Sequence, residues 1–122
     1  MIDSHAHIYS KAIIDNVLSI DGLADFLHLD AKSVAGRTDP ETLKREAGAA
    51  GVRACLLLPV APASGVCETN DRFIKMAEKD ASLFTAGVLH PSIRNLDAEM
   101  EKLSSHGIRA LKLSSFSQKF DL

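Results

Sequence analysis

Three residues near the start of the chain have side chains able to hold a metal: Asp3, His5 and His7 in "MIDSHAHIYS". Imidazole is the commonest metal ligand among side chains. Side chains alternate across a strand, so Asp3, His5 and His7 are expected on one face and Ile2, Ala6 and Ile8 on the other. Two imidazoles spaced in this way can reach one divalent cation at about 2.0–2.1 Å each. Asp3 would be an oxygen ligand or would orient the imidazoles. A bare H-x-H is a weak motif, and two histidines at a strand end also occur as ordinary polar residues. The D-x-H-x-H form on the first strand of an α/β chain is more specific.

Lys112 is the next candidate. In "RALKLSS", Leu111 and Leu113 share a face expected to meet helices, which turns Lys112 inward with Ile108, Ala110 and Ser114. An inward ammonium is costly unless paired, so it is a candidate to hold a substrate carboxylate. The alternative is a lysine whose head reaches water at the strand end. His90 closes the third expected strand before Pro91, as a pocket or substrate residue or as an ordinary loop histidine. Ser114 opens "SSFSQ", which stands where either a substrate loop or a plain polar connection would.

Other reactive side chains have simpler readings. His28 reads as a helix-surface residue, and His106 as a group at a helix C-terminus, where partial positive charge is favourable. Glu99, Glu101 and Lys102 read as a solvated helix face. Cys55 reads as core and Cys67 as a loop thiol, and the two form no metal or redox motif. No glycine-rich phosphate loop or nucleophile elbow occurs.

The elements that must position these groups alternate in type. After the first strand, the near-continuous apolar runs at 52–60, 83–91 and 107–114 read as buried strands of a parallel sheet. Between them lie helical patterns. Asp39 and Pro40 start one that carries Leu43, Ala47 and Ala50 and stops at Gly51. "TNDRFIKMAEKD" puts Phe73, Met76 and Ala77 on one face. "NLDAEMEKLSSHG" opens at Asn95, puts Leu96, Met100 and Leu103 on one stripe and ends at Gly107. Residues 11–37 read as one or two short helices followed by a loop. The order β-α-β-α-β-α-β implies right-handed parallel crossovers in an α/β fold. At roughly 30 residues per unit, residues 1–122 form a single domain of about four strands and three or more helices. That is a small open sheet, or half of a barrel whose full form needs about 250 residues.

Composition narrows the partners. A net charge of -2 leaves no basic excess to hold a phosphate backbone, so nucleic acid is not an expected partner. No apolar run is long enough to span a membrane. The first strand begins at Met1 or Ile2 with no leader ahead of it, so a cytoplasmic location is expected.

"IDSHAHI" resembles the first strand of the amidohydrolase superfamily of metal-dependent hydrolases. "ETNDRFIKMAEKDASLFTAGVLHPS" and "EMEKLSSHGIRALKLSSFSQKFDL" are similar to segments of its decarboxylase-like branch: an asparagine-led helix with the next strand, then a helix, a Gly turn and a strand with a central lysine. The resemblance implies a distorted TIM-type barrel with a metal at the strand C-termini. His5 and His7 would be the first two ligands, with Asp3 supporting them. It implies hydrolysis of a C–N or C–O bond, or metal-assisted decarboxylation, of a small-molecule substrate. The cofactor would be a divalent ion, Zn²⁺ first. Lys112, His90 and Ser114 would meet the substrate, and Lys112 stands near the place where some members carry a carbamylated lysine. The family's later ligands and its catalytic aspartate come from strands beyond the fourth, so this chain supplies no catalytic proton acceptor. The exposed strand edges would then be covered by a missing C-terminal half or by a second copy. The alternative is a non-catalytic remnant or interaction module that binds metal weakly.

Overall fold

The computed structural model describes residues 1–26, 30, 34, 36–118 and 120, without the side chains of Asn16, Leu23, Phe26, Phe116 and Ser117. His28 lies outside the described residues. Local sequence punctuation sets the helix ends. In α1 (Lys11–Ser19), the Ser10 hydroxyl accepts from the Ile13 N–H. A short α2 (Leu23–Phe26) follows. In α3 (Pro40–Ala49), the Asp39 carboxylate accepts from the Thr42 N–H and the Thr42 hydroxyl, both at 2.8 Å. Gly51, at φ 70°, stops that helix in the left-handed region where only glycine fits without strain. The remaining helices are α4 (Val66–Lys79), α5 (Leu96–Ser105) and α6 (Ser115–Gln118). Cys67 therefore sits in the first turn of α4, not in a loop. No described helix is long and apolar enough to cross a membrane.

The protein is mixed α/β with parallel strands: β1 (Ile2–Ala6), β2 (Ala54–Leu57), β3 (Leu83–Thr85), β4 (Gly87–Val88) and β5 (Leu111–Lys112). β1 pairs with β2, β2 with β3, and β4 with β5, each in parallel. β3 and β4 are one run of chain that changes partner. The Ala86 N–H donates to Leu57 O at 3.0 Å, and the next N–H, of Gly87, donates to Ala110 O at 2.9 Å. The paired segments are shorter than the apolar runs. Pro59 follows β2 without an N–H to donate, which limits that ladder.

The helices cover one face. Ala6, Ile8, Cys55, Leu57, Phe73 and Leu83 form one core cluster, against which Leu43, Ala47 and Met76 pack. Val66, Ile74, Leu89 and Leu103 form a second. A Cβ on Gly87 would come within 2.5 Å of a Leu103 methyl, so the missing side chain lets α5 lie close to β4.

Two sequence expectations are corrected by these contacts. The first-strand alternation breaks at a bulge: Asp3 stands opposite Cys55 and Ala6 opposite Leu57, so Ser4 and His5 share one partner position. Asp3 therefore falls on the helix-facing side and Ile2 on the other, where it is 67% exposed. The cause is local. The Asp3 carboxylate accepts from the His5 N–H at 2.9 Å, bending the chain over Ser4.

The second correction concerns α5. Glu99 is buried, not solvated, while Leu96 and Met100 stay largely exposed. Glu99 accepts from the Asn70 amide at 2.7 Å and pairs with the Lys102 ammonium at 2.9 Å. Burial pushes its carboxyl up, but the hydrogen bonds from Asn70, Lys102 and Cys67 and the Lys102 charge outweigh burial and hold it below its usual value. A depressed folded-state pKa stabilises the fold above the ordinary carboxylate pKa, and that gain disappears as pH falls through the folded value. Thermal melts of the wild type are therefore expected to drop more steeply than those of Glu99→Gln as pH falls below the ordinary carboxylate range.

Candidate metal and substrate site

His5 and His7 come together at the C-terminal end of β1. Their Nε2 atoms are 3.1 Å apart and their rings meet edge to face, with centroids 5.0 Å apart. The bulge and the end of the strand produce this, because His5 and His7 flank the buried Ala6 and point away from the helices. His7 Nδ1 lies 2.8 Å from Leu58 O. A carbonyl can only accept, so His7 Nδ1 carries the proton and, in the neutral ring, Nε2 presents its lone pair. Tyr9 stacks on the other side of His7, with centroids 5.6 Å apart and planes 11° apart. His7 is thus fixed in both tautomer and orientation, which is the condition an imidazole ligand needs.

The electrostatics favour the neutral form of His7. Burial lowers its pKa most; the Leu58 hydrogen bond acts in the opposite direction, and the positive charges of His5 and Lys112 add to the lowering. Lys112 therefore shares the field of this site. It pairs with Val88 and so lies on the face opposite Gly87 and Leu111. Among the described residues its ammonium has no ion pair or hydrogen bond.

Two nitrogens 3.1 Å apart suit one cation: ligand bonds of about 2.05 Å would subtend roughly 100° at the metal, near the tetrahedral value. Without a cation, His5 Nε2–H donates to His7 Nε2. Binding a cation requires the His5 proton to move to Nδ1. Asp3 does not join this pair. Its carboxylate is engaged by its own backbone, and its charge helps raise the Cys55 thiol pKa, after burial. No group of three or more His, Cys, Asp or Glu side chains able to hold a metal occurs among the described residues.

The other sequence candidates lie elsewhere along the same rim. His90 is buried and both of its ring nitrogens are used: Nδ1 accepts from the Ser92 N–H at 3.0 Å and Nε2 donates to Gln118 O at 2.9 Å. A substrate contact through His90 would have to displace one of these bonds. Ser114 holds α6 through its backbone, with its N–H donating to Gln118 Oε1 at 2.9 Å. The "SSFSQ" segment is thus a short helix, not an open loop. The Gln118 amide nitrogen donates to Ala61 O and Leu89 O, tying the ends of β2 and β4 together. His106 caps α5, with Nδ1 2.9 Å from Lys102 O.

Sequence reasoning missed Tyr9 and the Leu58 carbonyl. Tyr9 continues the i, i+2 row of His5 and His7, a signal that was available. A backbone carbonyl 51 residues away leaves no trace in side-chain types. Two sizeable hollows, of about 480 Å³ and 620 Å³, are lined by neither His5 nor His7. The first is bordered by Tyr9, Ile14 and Met76, the second by Leu56, Phe84 and Ile108. Comparisons with protein-family models, with curated proteins and with solved structures find no match to this chain.

Proposed function

We propose that the chain is the metal-holding portion of a hydrolase of the amidohydrolase type, its strands forming half of a TIM-like barrel. The observation that carries this reading is the 3.1 Å approach of the His5 and His7 Nε2 atoms, with the His7 tautomer set by Leu58 O. Neutral imidazoles suit Zn²⁺ and its neighbours in the transition series. Such an ion, when bound, lowers the pKa of water and polarises a carbonyl, which is the chemistry of C–N and C–O hydrolysis or of assisted decarboxylation. His5 and His7 would hold it, and Asp3 would support His5 through the backbone. Lys112, positively charged beside them, would attract an anionic group of a small substrate. Two neutral ligands are fewer than a catalytic zinc normally has, so the remaining ligands and the proton acceptor would come from outside the described residues.

The test is a calorimetric or Co²⁺-absorption titration. His5→Ala and His7→Ala are each expected to weaken binding by at least about tenfold, and His106→Ala is expected to leave it unchanged. Equal binding by all four proteins would end this reading. A second reading, a non-catalytic module that binds a metal weakly, is favoured by the lack of a third ligand among the described residues. It gives the same titration, and no hydrolytic turnover even when the further ligands and the proton acceptor that the first reading requires are supplied in trans.

A further inference from the structure

We propose that the hollow between α1, residues 36–40 and the middle of α4 is a binding site for a small carboxylic acid with a compact apolar body. The proposal is independent of the metal reading, because neither His5 nor His7 lines this hollow. Its volume of about 480 Å³ falls within the range of small-molecule pockets. Protein interiors hold few voids larger than a water molecule, so a space of this size is a recess and not a packing fault.

The recess grades from an apolar base to a charged rim. Ile8 and Ile14, both buried, form the base. Leu18, Pro40 and Met76, all half-buried, form the wall. Lys11, Asp15 and Arg72 are exposed around them. The backbone brings these stretches together: the Tyr9 N–H donates to Thr38 O at 3.2 Å, which ties the entry to α1 to the entry to α3. A ligand that matches this gradient puts its apolar part inward and keeps a polar or charged group at the mouth.

Charge decides the sign of that group. Four charged side chains line the recess, and three of them are engaged. Lys11 and Asp15 pair with each other at 2.6 Å. The Asp39 carboxylate accepts from the Thr42 N–H and hydroxyl at the start of α3, where the positive pole of the helix offsets its charge. Arg72 has no ion pair or hydrogen bond among the described residues. Its guanidinium carbon lies 5.1 Å from the centre of the Phe73 ring, a cation–π contact that leaves the N–H donors unused. Such a group takes a carboxylate through two parallel hydrogen bonds. The positive pole of α1 acts in the same direction, since its cap Ser10 and first residue Lys11 line the recess. The single charge of a carboxylate matches one guanidinium, whereas a phosphate dianion would keep a charge uncovered near Asp39.

The experiment is an amide NMR titration of the 122-residue chain with naphthylacetate and, separately, with the uncharged naphthylacetamide. A chelator is present, so that no metal at His5 and His7 can hold the acid. Naphthylacetate is expected to saturate the protein, with shifts centred on residues 8–18, 36–40 and 72–76. It is expected to bind at least about tenfold more tightly than the amide, as a charged hydrogen-bonded pair implies. Arg72→Gln is expected to weaken naphthylacetate by at least about tenfold and to leave naphthylacetamide unchanged. Leu18→Trp, which fills the recess, is expected to abolish the shifts from both probes. If circular dichroism shows that variant unfolded, Leu18→Phe takes its place. Absence of saturable shifts in the wild type overturns the proposal. So do shifts centred on the other large hollow, at Phe84 and Ile108, equal affinity for acid and amide, an acid affinity that survives Arg72→Gln, or undiminished binding in the filled variant.

Discussion

Asn70→Ala is expected to lower the free energy of unfolding by about 4 kcal/mol. Asn70 is 1% exposed and acts as a two-pronged clamp on β4. Its Nδ2 donates to Val88 O at 2.9 Å, and its Oδ1 accepts from the Val88 N–H at 2.8 Å. The same amide nitrogen donates to the buried Glu99 carboxylate. Alanine would leave a backbone donor, a backbone acceptor and part of a buried charge without partners, at about 1–3 kcal/mol each. Domains of this kind have about 5–15 kcal/mol in total, so the variant would be only marginally folded. Urea denaturation measures the loss. Asn70→Asp tests the cause, because a carboxylate cannot donate to Val88 O or to Glu99. It should be about as damaging at neutral pH and should recover in part when acid protonates the new carboxyl. A loss below about 1 kcal/mol for the alanine variant would mean that water replaces the clamp.

Gln118→Ala ranks second, at about 3 kcal/mol. Its side chain satisfies two buried carbonyls, of Ala61 and Leu89, and accepts from the Ser114 N–H. The loss is expected to be regional. Amide hydrogen exchange should accelerate first at Ser114 and Gln118 and in the loop after β2, while the amides of α3 keep their protection. Uniform acceleration across the chain would instead mean that α6 is an integral part of the core.

These two side chains also show where sequence reading stops. The ends of α3 were legible because Asp39, Pro40 and Gly51 act on residues within one turn of themselves. The broad α/β order with parallel strands was legible from the spacing of the apolar runs. The burial of Glu99 was not, because its partner Asn70 is 29 residues away and a Glu-x-x-Lys pattern looks like any solvated helix face. The role of His90 was hidden for the same reason, since its acceptor belongs to Gln118, 28 residues on. The bulge could have been suspected. An aspartate that captures the N–H two residues ahead is a turn device, and that choice moved Asp3 off the face of His5 and His7. The meeting of the two histidines was legible from their spacing. The carbonyl that fixes the proton of one of them was not.

Among the described residues, β5 is fastened to β4 by a ladder that pairs Gly87–Val88 with Leu111–Lys112. So short a ladder specifies alignment weakly, because a slip forfeits few bonds. The β4–β5 pair is therefore expected to part in a local opening short of global unfolding. Whatever lies along the outer side of β5 meets a strand that can still slide, and so chooses among alignments instead of inheriting one.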